Sequence, residues 1–297
     1  MQVMTSDMYT VNVIGCGRVG KTLAALIHQV GAGHIQDLYS RSPSSAYAAA
    51  EFIGAGKAVD SMESMRMADI WLIAVPDSQI AGVASALSVA SDKISSPLLE
   101  RPIAFHCSGF ESSSLLEPLG SKGFGVASLH PVLSFADPGL SVNIFEGTPC
   151  GIEGEPDNIK ILSRLVEQLK GKPFELSAQH KRLYHAAAVI SSNLNVVLQA
   201  MAVEAWQASG VPSEIIPFIH ASLLHGTTQN VLTMGPVKAL TGPAARGDQR
   251  VVDLQQVMLS QWHAEAGQAY ALLSNMASRL AQSGHCFASN LTHNDKS

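Results

Sequence analysis

Short runs of apolar residues alternate with helical patterns in the first half of the chain. Strand-length apolar runs occur at residues 10–14, 35–39, 70–75, 103–105 and 126–132. After the first run, apolar residues from Val19 to Val30 recur at i, i+4, i+7, i+8 and i+11, which is one face of a helix. A further run at residues 172–176 has proline in its second position, which favours an edge strand. Strands separated by helix-length segments predict a parallel sheet with crossover helices.

The pattern changes after about residue 177, and the chain to residue 283 is typical of long helices. Breaks are expected at Gly210, Gly235 and Gly242, because a proline follows each within two positions. We therefore predict an α/β domain over residues 1–177 and an all-helical domain over residues 178–297. The polar tail at residues 289–297 is expected to fray.

Two helix-length stretches carry no charged residue, one between Arg182 and Glu204 and one between Glu214 and Lys238. Both reach bilayer length, but their histidine, serine, asparagine and glutamine side chains would need partners in hydrocarbon. Buried helices therefore fit better than membrane spans. Because two such stretches exceed what one small helical domain would hide, we expect a homodimer through this domain to bury them.

The composition restricts the kinds of molecule that this protein is expected to bind. The 297 residues are 46% hydrophobic and 14% charged, with a formal net charge of −5. The apolar fraction excludes a disordered chain, and mild acidity argues against a nucleic-acid or anionic-membrane partner, which leaves a small-molecule substrate. The four cysteines form no CxxC pair and the first ten residues lack a signal-peptide pattern, so we expect the reducing cytoplasm.

A glycine-rich turn follows the first predicted strand and opens the first predicted helix. It reads GxGxxG and consists of Gly15, Cys16, Gly17, Arg18, Val19 and Gly20. In this context the glycines allow a tight turn and close backbone approach, and free N–H groups at the helix N-terminus bind a pyrophosphate. The turn predicts a bound dinucleotide; the alternative is a glycine-rich turn without a ligand.

The end of the second predicted strand indicates which dinucleotide binds. An NAD site places an acidic residue there to hold the ribose 2′-OH, whereas this chain has Ser40, Arg41 and Ser42. A guanidinium flanked by hydroxyls would bind a 2′-phosphate, so NADP(H) is the predicted cofactor. Asp37 is close, but it lies within the strand rather than at its tip. The alternative for Arg41 is a solvated loop arginine.

Ligands of doubly wound sheets lie beyond the carboxyl ends of the strands. Two further predicted strands end in segments that would border the nicotinamide half of the cofactor, namely Val75, Pro76 and Asp77, then Cys107 and Ser108. The alternative for each residue is an ordinary turn.

A histidine, His130, ends another predicted strand on the same rim. A proton must be given or taken when a hydride moves to or from a carbonyl or alcohol carbon, and histidine titrates in the right range. His130 is therefore the predicted general acid–base, against the alternative of a turn histidine bonded to nearby backbone. His185 lies two helical turns before Ser192 and Asn193, and this polar stripe either contacts the substrate or is satisfied internally.

A loop at residues 241–248 brings a hydroxyl, a guanidinium and a carboxylate between two predicted helices. Thr241 and Arg246 are candidate contacts for an anionic substrate group. Alternatively, Arg246 pairs with Asp248, and Asp248 caps the next helix. Two histidine pairs in the helical half are spaced by five positions rather than by i, i+4, so no metal site is predicted.

Together these motifs resemble the Rossmann-like oxidoreductases that carry a C-terminal domain of unknown function, number 2520. The resemblance runs through GCGRVG, AVPDS, HCSG, SLHPVLSF, HKRLYHAAAVISSN and ALTGPAARGD, and so covers nearly the whole chain. The wider superfamily includes prephenate dehydrogenase, pyrroline-5-carboxylate reductase and 6-phosphogluconate dehydrogenase. The resemblance implies a doubly wound Rossmann domain, a helical dimerisation domain and a substrate cleft between them.

Prephenate dehydrogenases carry a catalytic histidine in a similar His-Pro segment, which maps onto His130, and a substrate-contacting histidine that maps loosely onto His185. The residues after Pro131 and the TGPAARGD loop depart from theirs, so prephenate is not the expected substrate. We predict an NADP-dependent oxidoreductase acting on a small anionic metabolite, whose substrate is oriented by His185, Asn193 and Arg246. The competing hypothesis is a non-catalytic NADP(H)-binding sensor on the same fold.

Overall fold

The computed structural model describes residues 9–94 and 101–288. The chain divides into two compact units, residues 1–193 and 194–297. The first unit extends beyond the predicted boundary at residue 177 because the next helix begins with a side chain, Lys181, that is buried in this unit. The tail at residues 289–297 and most of the N-terminal ten residues lie outside the described residues.

Within the described residues, one eight-stranded sheet forms the centre of the first unit. Its strands are β1 (Thr10–Ile14), β2 (His34–Tyr39), β3 (Lys57–Val59), β4 (Ile70–Ile73), β5 (Ile103–His106), β6 (Gly125–Pro131), β7 (Pro149–Gly154) and β8 (Lys172–Glu175). The order is β3-β2-β1-β4-β5-β6-β7-β8, whose first six strands follow the doubly wound dinucleotide-binding order.

Neighbouring strands are parallel except β6 and β7. The parallel sheet is therefore confirmed for the first six strands, and β7 is an addition that the hydrophobic pattern did not indicate. β8, with Pro173 in second position, lies at the edge of the sheet as expected.

Helices cover both faces of this sheet, because the strand residues alternate between two apolar clusters. Leu72 and Phe105 belong to one cluster, and their neighbours Trp71 and Ala104 belong to the other. The helices of the first unit are α1 (Arg18–Gln29), α2 (Pro43–Ile53), α3 (Ile80–Ser91), α4 (Glu117–Gly120), α5 (Pro138–Asn143), α6 (Pro156–Gln168) and α7 (Lys181–Val189). A π-helical turn, Ile190–Leu194, follows α7.

The second unit is helical, as predicted. Its helices are α8 (Asn195–Ala208), α9 (Ile216–Ala239), α10 (Pro243–Arg246), α11 (Gln249–Trp262) and α12 (Ala264–Ser283). The expected breaks at Gly210 and Gly242 separate helices, whereas Gly235, with φ 79°, kinks α9 ahead of Pro236.

The uncharged stretches are not buried within the chain, contrary to the expectation of buried helices. Of the described residues, one helix, Lys181–Ala208, is long and apolar enough to cross a membrane, and its most apolar window is not buried. Val196 and Val197 on α8 are 68% and 60% exposed. Burial of these stretches by a second copy of the chain stays a prediction.

Candidate functional site

The glycine-rich turn packs closely against the end of β4. Gly15 has φ +98°, and a Cβ there would collide with the carbonyl of Ala74. A Cβ on Gly20 would collide with the Gly15 carbonyl, so these two glycines allow α1 to start directly beneath the turn. Around Gly17, by contrast, a Cβ would meet no atom within 4 Å. Because no side chain caps α1 here, its first N–H groups face open space.

A cavity of about 400 Å³ lies beside this turn. It is lined by the turn, by the residues after β2 and by the residues after β4: Ile14, Gly15, Cys16, Gly17, Tyr39, Ser40, Arg41, Ser42, Ser45, Met62, Ala74, Val75, Pro76, Gln79 and Val83. The structure thus brings together the predicted pyrophosphate turn and the predicted 2′-phosphate residues. Arg18, Val19 and Gly20 do not line the cavity; Gly20 serves the packing of α1 instead.

Asp37, the acidic residue closest to Ser40 in the chain, is buried in an ion pair. Its carboxylate accepts hydrogen bonds from the Arg66 side chain through Nη2 at 2.8 Å and Nε at 3.1 Å, and from the Arg66 backbone N–H at 2.7 Å. Both oxygens are therefore occupied within the protein. This arrangement supports the interpretation that Arg41, which is exposed in the cavity wall, meets the ribose end of the ligand.

His130 lies near the carboxyl end of β6 with one ring nitrogen bonded. Its Nδ1 is 2.8 Å from the hydroxyl oxygen of Tyr184 on α7. Within the described residues Nε2 has no protein partner, and it is not among the buried unpaired atoms, so it stays accessible. Burial, followed by the charges of His185 and Lys181, lowers the pKa of His130 to about 4, which makes the ring neutral at pH 7.

His185 lies beside His130. The two ring centroids are 5.7 Å apart, and the ring centroid of Phe110 lies 6.1 Å from that of His185. The guanidinium carbon of Arg182 stands 5.1 Å from the Phe110 ring centroid. A Cβ on Gly109 would come within 2.8 Å of both histidine rings, so the backbone after β5 closes this side.

Ser108, a predicted cofactor contact, is hydrogen-bonded to the protein through its N–H, its carbonyl and its hydroxyl oxygen. Its N–H donates to Nδ1 of His106, its hydroxyl oxygen accepts from the N–H groups of Phe110 and Glu111, and its carbonyl accepts from Lys181. A cofactor contact by Ser108 therefore stays a prediction.

Cys107 and Asp77 follow the ends of β5 and β4. Burial raises the pKa of the Cys107 thiol to about 12, so this thiol stays protonated. Asp77 begins a short turn after β4, and its negative charge partly offsets the larger effect of burial, which lowers the pKa of His130 and of Lys181. Their contact with a nicotinamide also stays a prediction.

A buried ionic network beneath the site was not predicted. The Lys181 ammonium donates to the Ser108 carbonyl and the Ser128 hydroxyl, and it lies 3.8 Å from the Glu153 carboxylate. Ser128 donates to Glu153 at 2.9 Å, and Ser113 donates to the same carboxylate through its N–H and its hydroxyl. Burial lowers the pKa of Lys181 to about 8. In the sequence, this network was indicated only by the charge of Glu153 and the hydroxyl of Ser128, which interrupt otherwise apolar strand segments.

Ser192 and Asn193 follow His185 in the chain, and a substrate contact by either of them stays a prediction. They lie in the π-helical turn, are exposed, and bond to each other at 2.8 Å, with the Ser192 hydroxyl also donating to Ala188. A π turn holds more residues than an α turn, so α-helical spacing from His185 no longer predicts the face.

Thr241 and Arg246 belong to the second unit, where both are exposed. Asp248 caps α11, because its side chain accepts a hydrogen bond from the Val251 N–H. The cap that was expected under the structural interpretation of this loop is therefore confirmed. Among the residues that the structure describes, Arg246 forms no ion pair, and no group of metal-binding side chains occurs.

The strand order and the glycine-rich turn define a Rossmann-type fold. Residues 3–131 match the family model of the Rossmann-like domain, and residues 148–277 match that of the domain of unknown function DUF2520. The chain therefore combines a Rossmann-like domain with a DUF2520 domain, which confirms the resemblance carried by its motifs. A comparison with curated proteins finds no match.

Solved structures share the fold over almost the whole chain. A protein from Thermotoga maritima is 27% identical, with a TM-score of 0.71 over 92% of this chain and 99% of the other. A Bacteroides fragilis protein assigned as an NADP oxidoreductase is 20% identical, with a TM-score of 0.72 over 91% and 98%. Pyrroline carboxylate reductase from Plasmodium falciparum, solved with NADP bound, is 14% identical, with a TM-score of 0.56 over 91% and 98%.

Proposed function

We propose that this chain is an NADP-dependent oxidoreductase that transfers a hydride to or from a small anionic metabolite. The main supporting observation is the cavity, whose wall contains the glycine-rich turn together with Ser40, Arg41 and Ser42. The carboxylate of Asp37 does not face this ligand site freely, because it forms an ion pair with Arg66. The names of the Bacteroides fragilis and Plasmodium falciparum relatives support the same cofactor class.

The chain's own groups fit NADP(H). The uncapped N-terminus of α1 offers N–H donors to the pyrophosphate beside Gly17, where the absent side chain leaves room. The Arg41 guanidinium and the hydroxyls of Ser40 and Ser42 suit a 2′-phosphate. When bound, the cofactor supplies or accepts the hydride.

His130 is the proposed catalytic acid–base, because it combines burial with an accessible Nε2 atom. His185 is proposed to orient the substrate beside it, at a ring-centroid distance of 5.7 Å. The substrate contacts proposed for Asn193, Ser192, Thr241 and Arg246, and the cleft between the domains, rest on the sequence motifs.

A screen for turnover tests this function. Purified protein is incubated with NADPH and fractionated pools of small carboxylated metabolites, and the absorbance of NADPH is followed, with His130→Ala as control. We expect one pool to oxidise NADPH in the presence of the unmutated protein only. Tight NADPH binding without turnover in any pool would favour the competing sensor hypothesis.

We also propose a homodimer through the helical unit. Phe218 and Leu232 on α9 are 74% and 77% exposed, and a second copy of the chain would cover such a surface. Light scattering at micromolar concentration should give twice the mass of the chain, and a monomeric mass would contradict the proposal. All four cysteines are free thiols, which supports the cytoplasm as the compartment.

A further inference from the structure

The hydroxyl of Tyr184 reaches His130 because β7 carries a glycine at the facing position. Gly151 pairs with His130 in the β6–β7 register. A Cβ on Gly151 would lie 3.1 Å from the Phe174 ring and 3.3 Å from the Tyr184 hydroxyl. The Phe174 and Tyr184 ring centroids are 5.9 Å apart, so the phenol rests on this ring with its oxygen 2.8 Å from Nδ1 of His130.

Acid–base strength gives this contact a direction. A phenol has one proton, and Nδ1 and Nε2 of a neutral imidazole share one. The phenol is a stronger acid than the N–H of a neutral imidazole, and the imidazole lone pair is a stronger base than the phenol oxygen, so the O–H···N arrangement is the stronger of the two. With the phenol donating to Nδ1, the ring proton lies on the accessible Nε2 atom.

The surroundings keep both partners in the required protonation state. Charges near His130 come from Lys181 and His185 on α7 and from Asp77 after β4, and burial outweighs all three in holding the ring neutral. Burial also raises the pKa of Tyr184 to about 12, so the phenol keeps its proton.

We propose that Tyr184 is a positioning residue that fixes His130 as the Nε2–H tautomer, and that the site therefore takes an oxo or imino compound in the direction of reduction. The proposal rests on the oxidoreductase function and adds its direction and substrate class. A neutral Nε2–H donates to a carbonyl oxygen or an imine nitrogen, whereas oxidation of an alcohol would need a free lone pair at Nε2.

The proton steps balance through the same pair of residues. Once hydride has reached the substrate carbon, the electron pair of the former double bond lies on oxygen or nitrogen and takes the Nε2 proton. As the Nε2 proton leaves, the Tyr184 proton moves to Nδ1, so the imidazole stays neutral and the phenolate carries the charge. The pair is reset when the Nδ1 proton returns to the half-buried Tyr184 oxygen and Nε2 takes one proton from solvent, which replaces the proton given to the substrate.

The tautomer is measured without a substrate by ¹⁵N NMR of histidine-labelled protein at neutral pH, with the His130 signals assigned by their loss in His130→Gln. We expect Nδ1 at the high shift of an unprotonated nitrogen and Nε2 at the low shift of an N–H. Tyr184→Phe keeps the ring contacts, and it should give a mixture of tautomers with unchanged NADPH affinity. Tyr270→Phe, which removes a hydroxyl hydrogen bond to Gln255, is the matched control and should leave the His130 signals unchanged.

A second variant and a rate measurement complete the test. Gly151→Ala, which crowds the Tyr184 hydroxyl, should shift the His130 signals in the same direction as Tyr184→Phe. Tyr184→Phe should also lower the rate of NADPH-dependent reduction by about tenfold, the effect of losing one hydrogen bond. An Nδ1–H tautomer in the unmutated protein, or unchanged signals in Tyr184→Phe, would overturn the proposal. Absence of turnover with the predicted tautomer present would instead count against the oxidoreductase function.

Discussion

Arg66 binds both carboxylate oxygens of Asp37, with Nη2 2.8 Å from Oδ1 and Nε 3.1 Å from Oδ2. This pair explains how a chain with an acidic residue in β2 can still favour a 2′-phosphate. The negative charge is neutralised inside the protein, and Arg41 is the nearest charged group in the cavity wall after β2. We therefore propose that the preference for NADP(H) depends on two arginines, Arg66 to neutralise Asp37 and Arg41 to bind the 2′-phosphate.

Reversing the charge of Arg41 should weaken NADPH binding. Arg41→Glu removes one charge-assisted contact, so the dissociation constant for NADPH should rise by roughly 10- to 100-fold, about 1.5–3 kcal/mol, with little change for NADH. Arg164→Glu on α6 makes the same charge change outside the cavity and should leave both affinities unchanged. Isothermal titration calorimetry measures the affinity of each protein for NADPH and for NADH. Equal affinities for the two cofactors in the unmutated protein would disprove the assignment of Arg41 to the 2′-phosphate.

Alanine substitution of Gly17 and of Gly20, two glycines of one motif, should affect different properties of the protein, namely cofactor affinity and stability. Gly17→Ala adds a methyl group where the free protein has open space, so the melting temperature should hold while NADPH affinity falls. Gly20→Ala forces a methyl group against the Gly15 carbonyl, so the melting temperature itself should fall. Thermal melting with and without NADPH separates the two effects. If Gly17→Ala bound NADPH with normal affinity, the pyrophosphate could not lie beside Gly17 as proposed.

Local patterns explain what the sequence could predict. The GxGxxG turn, the strand ends and His130 are each recognisable within a few residues, because strand and helix periods and glycine turns are local properties. His185 was expected near His130 from its polar position on an otherwise apolar predicted helix and from the resemblance to prephenate dehydrogenases, and the two rings do lie together.

Contacts between distant segments explain what was missed. Lys181 and Glu153 meet only after β6 and β7 pair antiparallel, and nothing local shows that a lysine will be buried. Tyr184 reaches His130 over Gly151, which is again a matter of strand register. The π-helical turn that contains Ser192 and Asn193 was also not predicted, because helical spacing assumes a constant period.

Removing the buried lysine should destabilise the first unit strongly. In Lys181→Met the Glu153 carboxylate loses its buried counter-charge, which should lower the free energy of unfolding by about 3–5 kcal/mol. Adding Glu153→Gln should recover part of the loss. Lys160→Met removes an exposed ion pair with Asp157 and should change stability by less than about 0.5 kcal/mol. Urea unfolding measures each variant, and equal losses for the two lysines would contradict the buried network.

Acid should destabilise the protein through its buried histidines. Burial lowers the pKa of His106 to about 4, against about 6.5 in an unfolded chain, and His130 is shifted in the same direction. The unfolded state therefore binds more protons between these values, so stability is complete above about pH 6.5 and falls as the pH drops toward about 4. For His106 the loss is up to about 3 kcal/mol.

Melting temperatures recorded between about pH 7 and about pH 5 test this dependence. His106→Gln should flatten the curve, whereas His28→Gln, at an exposed position on α1, should leave its slope unchanged. A melting temperature that stays constant down to about pH 5 in the unmutated protein would contradict a neutral, buried His106.

The comparison of unmutated protein with His130→Ala tests the central claim most directly. NADPH affinity and turnover of NADPH with an active metabolite pool are measured on both proteins at the same pH. Because His130 acts on the substrate proton rather than on the cofactor, NADPH affinity should stay within about twofold while turnover falls by roughly 10²–10⁴-fold. Turnover that survives in His130→Ala would contradict this account of the site.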